Sequence, residues 1–194
     1  MLYTHRSRAG KQIGWRRVAV LTAALTAAVS TGAAAGDGMP PAVRSSDRVL
    51  NELIADGYRR SQSFGHLVDG IADMNTLVYV EAGVCTFGHL KACLLPFIAT
   101  TGQVRYLRIG LTRPLNLGDR NRLIALIGHE LQHALEVAAR PDVIDLKSMI
   151  ELYRRIGFPL KGQPGYETSA ARAAGDSVLD ELTKKVATSR PARP

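Results

Sequence analysis

The chain has only two cysteines, Cys85 and Cys93, in 194 residues. Their spacing fits no cysteine-based zinc pattern. There is no internal repeat and no low-complexity stretch beyond the first 35 residues, so the length reads as one domain plus a leader. There is no long, strongly apolar run. The most apolar stretch, residues 18–30, is short and alanine-rich, whereas a membrane span needs roughly 20 strongly apolar residues. Residues 1–35 contain no acid, and no cysteine follows the apolar stretch to carry a lipid anchor. Apolar residues at 46% and charged residues at 22% suit a packed core and exclude a disordered chain or a membrane bundle.

The net charge of +8 belongs mostly to the leader. Arg6, Arg8, Lys11, Arg16 and Arg17 lie there, and without them 20 bases face 17 acids, a net of +3. The rest carries short pairs such as Arg59-Arg60 and Lys184-Lys185, which read as solvated helix faces rather than a basic stripe. Nucleic acid is therefore not an expected partner. Residues 1–35 read as a signal peptide: a basic start, an apolar middle and an A-x-A-like cleavage site at Ala33-Ala34-Ala35. Arg16-Arg17 hints at twin-arginine export, but the residues after it do not strengthen the hint. The expected location is periplasmic or secreted, with no stable membrane span after leader cleavage. An oxidising compartment allows a Cys85–Cys93 disulfide; buried thiols, or thiolate ligands with His89 between them, are the rival readings.

Residues 36–42 read as a linker, 43–188 as the folded domain and 189–194 as a disordered tail. Helical spacing runs over 43–60, and again over 63–73 with Ser63 as a cap. Residues 76–82 read as a strand. A second strand is expected over 93–100, although Pro96 pushes it toward an edge or a bulge. A turn at Thr101-Gly102 leads into a strand over 103–111, on which Val104, Tyr106 and Ile109 nearly share a face. The strongest helix starts after Asp119 and runs to about residue 139; it is apolar on most sides and hence buried. Helices over 142–156 and 166–187 complete the expectation of an α+β fold, a small antiparallel or mixed sheet packed on helices.

Residues 129–133 read His-Glu-Leu-Gln-His, an H-E-x-x-H motif. Positions i and i+4 lie on one helix face, so two imidazoles there can reach one tetrahedral zinc at about 2.0–2.1 Å each. Glu130 is placed to take a proton from a water whose pKa the metal lowers. Three polar residues in a buried helix need such a reason, because unpaired buried polar groups cost several kcal/mol. The alternative is two hydrogen-bonded core histidines and a surface Glu. A catalytic site needs a third protein ligand, and no histidine follows His133. The third ligand is then an acid. Those after the motif run from Glu136 through Asp142, Asp145, Glu151, Glu167, Asp176 and Asp180 to Glu181. Glu136 lies about 10.5 Å along the helix axis from His129, which suits a supporting role better. Glu167 is preferred: it opens the last helix, among small residues that permit close packing on the motif helix. Its plainer reading is a first-turn acid favoured by the helix dipole.

The segments GHELQHALEVA (128–138) and GYETSAARAAGDSVLDEL (165–182) resemble a family of bacterial zincin-like metallopeptidases, mostly uncharacterised, over about residues 50–182. More broadly the chain is similar to gluzincins, whose third ligand is a Glu on a later helix. The resemblance implies His129, His133 and Glu167 as zinc ligands and Glu130 as general base. Many gluzincins carry an Asp four residues after that Glu; here the position is Ala171, leaving Asp176, Glu136 or backbone carbonyls to support a ligand. The expected activity is hydrolysis of a peptide or protein substrate, with Tyr166 as an oxyanion candidate and Arg105 and Arg108 as possible flanks of the cleft. An extended peptide could pair with a free edge of strand 103–111. Two other classes stay open: a non-catalytic exported domain with a structural zinc, and a zinc hydrolase of a non-peptide bond.

Overall fold

The computed structural model describes residues 42–86, 89–115, 117–162 and 165–188. The expected leader, the linker up to Pro41 and the tail 189–194 lie outside these residues. Among them no helix is long and apolar enough to cross a membrane.

The fold is α+β, as expected. Five strands form one mixed sheet: β1 (Val43–Arg44), β2 (Thr76–Ala82), β3 (Ala92–Leu94), β4 (Ala99–Thr101) and β5 (Val104–Leu111). The order is β1-β2-β5-β3, with β4 also on β5. β1, β2 and β5 run parallel, while β3 and β4 run antiparallel to β5. Side chains alternate across a strand, and the registers align one apolar face. Val43, Val78 and Leu107 form one row; Val80, Ile109 and Leu94 form the next. Most of this face is fully buried. The buried set on β5 is therefore Leu107, Ile109 and Leu111, not Val104 and Tyr106 as the sequence suggested.

Several boundaries also differ from the sequence reading. The expected helix over 43–60 begins only at Arg48: α1 spans Arg48–Arg60, capped by the Asp47 side chain, and Val43 is taken by pairing with β2. Ser61 ends α1 and caps α2 (Gln62–Asp73) through Phe64 N, so Ser63 is not the cap. Its hydroxyl donates to Glu181 instead. The strand expected over 93–100 is two short ones flanking Pro96. The edge proposed for a peptide on β5 is covered on both sides, by β2 and by β3 with β4.

α3 (Arg120–Ala138) is capped by Asp119 and runs through the core. α4 (Leu146–Ile156) starts later than expected, behind an Asp145–Ser148 capping box. β6 (Phe158–Pro159) pairs with β7 (Tyr166–Glu167), where a plain loop was expected. α5 (Ser169–Thr188) follows. Glu167 is thus on a strand two residues before the helix, not inside its first turn. Gly175 brings α5 against α3: a Cβ there would meet His129 Cβ at 3.2 Å.

Candidate metal centre

The helical repeat sets the first two donors. His129 and His133 project from one face of α3, their rings 5.1 Å apart and nearly perpendicular. The third comes from β7. Glu167 Oε1 lies 3.6 Å from His129 Nε2 and 3.5 Å from His133 Nε2. One donor atom from each residue lies within 4.8 Å of the others. Donors on a tetrahedral ion with bonds of about 2.0–2.1 Å stand roughly 3.4 Å apart. The observed separations are long for hydrogen bonds and close to that tetrahedral edge, so these three residues can hold a metal ion.

The partners of the ligands fit the same purpose. His133 Nδ1 is 3.1 Å from Glu136 Oε2. With a proton on Nδ1 for that carboxylate, Nε2 offers its lone pair to the cluster. Tyr153, buried, donates its hydroxyl to the His133 carbonyl at 3.1 Å and sets its ring edge-on to the imidazole. Arg172 places Nε 3.5 Å from Glu167 Oε2 and its guanidinium over Phe158. Thr168 donates its amide to Glu167 Oε1 and its hydroxyl to Glu136 Oε1.

Electrostatics follow from burial and from three carboxylates around two imidazoles. Burial pushes the Glu130 carboxyl up to about 7, against the pull of His133 and the Leu94 amide. Burial alone would lower the His133 imidazole, but the carboxylates of Glu136 and Glu167 hold it up at about 9. Burial also raises Glu167, yet the nearby His133 imidazole, the His129 charge and the Thr168 amide bring it down to about 2. His129 is lowered by burial and by its neighbour His133. A group with this excess of carboxylate favours a cation among its donors.

Glu130 is buried, 5% exposed, and faces the same cavity as the three donors. That cavity holds about 320 Å³ and has an apolar wall that includes Leu94, Met149, Ile150 and Leu160. No lysine or arginine among the described residues lines it. A second cavity, of about 800 Å³, is also lined by His129, together with Lys91, Arg122 and Arg172 among others. β3 is an edge of the sheet, and its Leu94 lines the first cavity and reaches Glu130 through its amide.

The structure brings together Glu130, His129, His133, Glu167 and Glu136. Tyr166 lines the cavity too, its hydroxyl accepting from Arg154 Nε at 3.2 Å. Asp176 does not support a ligand: it is exposed, on the wall of the second cavity. Arg105 and Arg108 do not flank the cleft either. Arg105 holds backbone carbonyls at the C-terminal end of α3 and just past it, and Arg108 forms a bidentate pair with Glu81. Cys85 and Cys93 are joined in a disulfide, Cα atoms 5.8 Å apart, which removes the thiolate reading and ties β3 to the loop after β2. Thr168, Tyr153 and Arg172 were missed. For Thr168 the available signal was a hydroxyl residue just before a helix. No protein-family model, no curated protein and no solved structure matches the chain.

Proposed function

We propose that this protein is an exported zinc-dependent hydrolase, a metallopeptidase of the zincin-like, H-E-x-x-H type. The observation that carries the reading is a buried carboxyl, Glu130, facing one cavity with a group of two histidines and a glutamate. His129, His133 and Glu167 would hold the ion. Zinc suits two imidazoles and one carboxylate. When bound, it supplies Lewis acidity toward a carbonyl and makes water more acidic. Structural zinc sites are closed by four protein ligands; the group here has three among the described residues and opens on a cavity.

The chain's own residues supply the rest. Glu130 takes the proton of the attacking water and returns it to the leaving nitrogen. The Leu94 amide and the packing around Glu130 hold its carboxyl at the cavity wall. The Tyr166 hydroxyl is a donor available to a developing oxyanion. The edge of β3 offers backbone groups to an extended peptide, and the apolar wall accepts an uncharged side chain. Export rests on the leader sequence, and the disulfide is consistent with an oxidising compartment.

The test is zinc content by mass spectrometry beside His133→Ala and Glu130→Ala, followed by digestion of a mixed peptide library. The expected result is about one zinc per chain, lost in His133→Ala and kept in Glu130→Ala, with cleavage lost in both. A folded, zinc-replete protein that retains no zinc would overturn the reading. Zinc retained without cleavage of any peptide would remove the peptidase part.

A further inference from the structure

Thr168 touches the cluster from two sides. It lies between β7 and α5 and is 2% exposed. Its amide donates to Glu167 Oε1 at 2.8 Å. Its hydroxyl donates to Glu136 Oε1 at 2.7 Å and accepts from Ala171 N at 3.0 Å. The other Glu136 oxygen is the one beside His133 Nδ1, at 3.1 Å. A continuous chain of hydrogen bonds therefore runs from His133 through Glu136 and Thr168 to Glu167.

We infer that Thr168 is a positioning residue for the metal group, holding Glu167 directly and His133 by way of Glu136. The inference rests on the reading that His129, His133 and Glu167 bind a metal. The physical need is clear on each side. An imidazole ring turns about its outer torsion unless Nδ1 is held. The Glu136 side chain is long and mobile unless a donor fixes it, and the hydroxyl of Thr168 is that donor. Glu167 sits on a strand of two residues, too short to set a carboxylate by itself; the next amide in the chain fixes one of its oxygens. The same hydroxyl accepts the α5 cap bond, so the start of α5 is locked to the face of α3 that carries His133. Partners of this kind are worth tenfold to a hundredfold in metal affinity.

A plain N-cap would explain the bond from Ala171 but not the use of the hydroxyl proton. A cap needs only an acceptor; here the proton goes to a carboxylate that touches a ligand. Three variants separate the two roles. Thr168→Ser keeps both bonds of the hydroxyl. Thr168→Val removes both at nearly constant shape. Glu136→Ala removes the link to His133 and leaves the α5 cap intact, which keeps the test valid if Thr168→Val fails to fold.

Zinc affinity of the full chain is measured by chelator competition, with urea unfolding of the metal-free protein alongside. The His133 ring nitrogens are followed by NMR in the metal-free state. The expected result is a ten- to hundredfold loss of zinc affinity in Thr168→Val and Glu136→Ala, and a change of less than about threefold in Thr168→Ser. Wild type and Thr168→Ser should show a His133 Nδ1 proton that is held in a hydrogen bond and exchanges slowly with water, and the other two variants should lose that protection. A Thr168→Val or Glu136→Ala protein that folds with unchanged zinc affinity and an unchanged ring signal would overturn the inference. If wild type binds no zinc, the metal reading fails, and the ring signals alone decide whether Thr168 holds His133.

Discussion

Removing the guanidinium of Arg105 should loosen the end of the motif helix. Arg105 sits at the start of β5, half-buried and in register with Thr76. Nη1 donates to the carbonyls of Val137, Ala138 and Arg140 at 3.0, 3.3 and 3.2 Å, and Nη2 donates to the carbonyl of Val143. These include carbonyls at the α3 C-terminus, which have no partner within the helix. A hydrogen bond to a charged group is worth about 1.5–3 kcal/mol. The four bonds share two nitrogens, and water can replace some of them at this half-open edge, so they do not add. The cation also meets the negative end of the helix dipole, worth up to about 2 kcal/mol when partly buried. We expect Arg105→Met, which keeps an apolar stem, to lose about 3 kcal/mol, a large share of a typical stability of about 5–15 kcal/mol. Arg105→Lys keeps the charge but not the fork and should recover about half of that loss. The assay is urea unfolding followed by circular dichroism, with an unchanged slope as the check on two-state behaviour. A loss below about 0.5 kcal/mol in Arg105→Met would refute the reasoning, since it would leave the variant within ordinary surface effects.

Four further outcomes are expected. Gly175→Ala gains helix propensity, roughly 1 kcal/mol, but sets a methyl 3.2 Å from His129 Cβ; stability should stay nearly level while zinc affinity falls, and calorimetry with chelator competition would show both. Replacing both Cys85 and Cys93 by Ser opens a loop of sequence separation 8 and should cost about 2–3 kcal/mol on chain entropy alone, read from the urea midpoint. Ile150→Arg puts a cation on the apolar wall of the 320 Å³ cavity, and should cut cleavage of peptides with apolar side chains about tenfold relative to acidic ones, scored on a peptide library; an unchanged preference would place the substrate elsewhere. Burial raises the Glu181 carboxyl, but hydrogen bonds from Ser63 and Ser61 outweigh it and lower its pKa in the fold. Its stabilisation is complete above the unfolded value of about 4.3 and lost as pH falls through the lower folded value, so Glu181→Gln should flatten the acid side of the stability curve.

What the sequence could show was local. The i, i+4 spacing of His129 and His133 is fixed by the helix itself, and the helix was legible because its apolar residues recur over five turns. Glu167 could be singled out because no histidine follows the motif and small residues follow the acid. Its element could not. Two residues carry no periodicity, and Tyr166-Glu167 become a strand only because Phe158-Pro159 lie opposite. Val43 was read as helical for the same reason: its strand exists through pairing with Val78. Arg105 read only as a possible flank of the cleft because its partners are backbone carbonyls more than thirty residues away, and carbonyls leave no mark in a sequence.

The same distinction explains where the site should be most sensitive. The three donors come from α3 and β7, and nothing within either element fixes one against the other. The junction does this work through three contacts: the Thr168 hydroxyl on Glu136, the Thr168 amide on Glu167, and the close approach of Gly175 to His129. A donor misplaced by about 1 Å is enough to cost activity a hundredfold in general. Substitutions at Thr168 and Gly175, neither of which would touch the ion, should therefore rank beside Glu136 and above the exposed Asp176 in their effect on metal binding. The gluzincin pattern would have directed attention to position 171. There Ala171 offers no polar side chain and gives only its amide to Thr168, so under the inference above the hydroxyl that positions the donors lies three residues earlier in the chain.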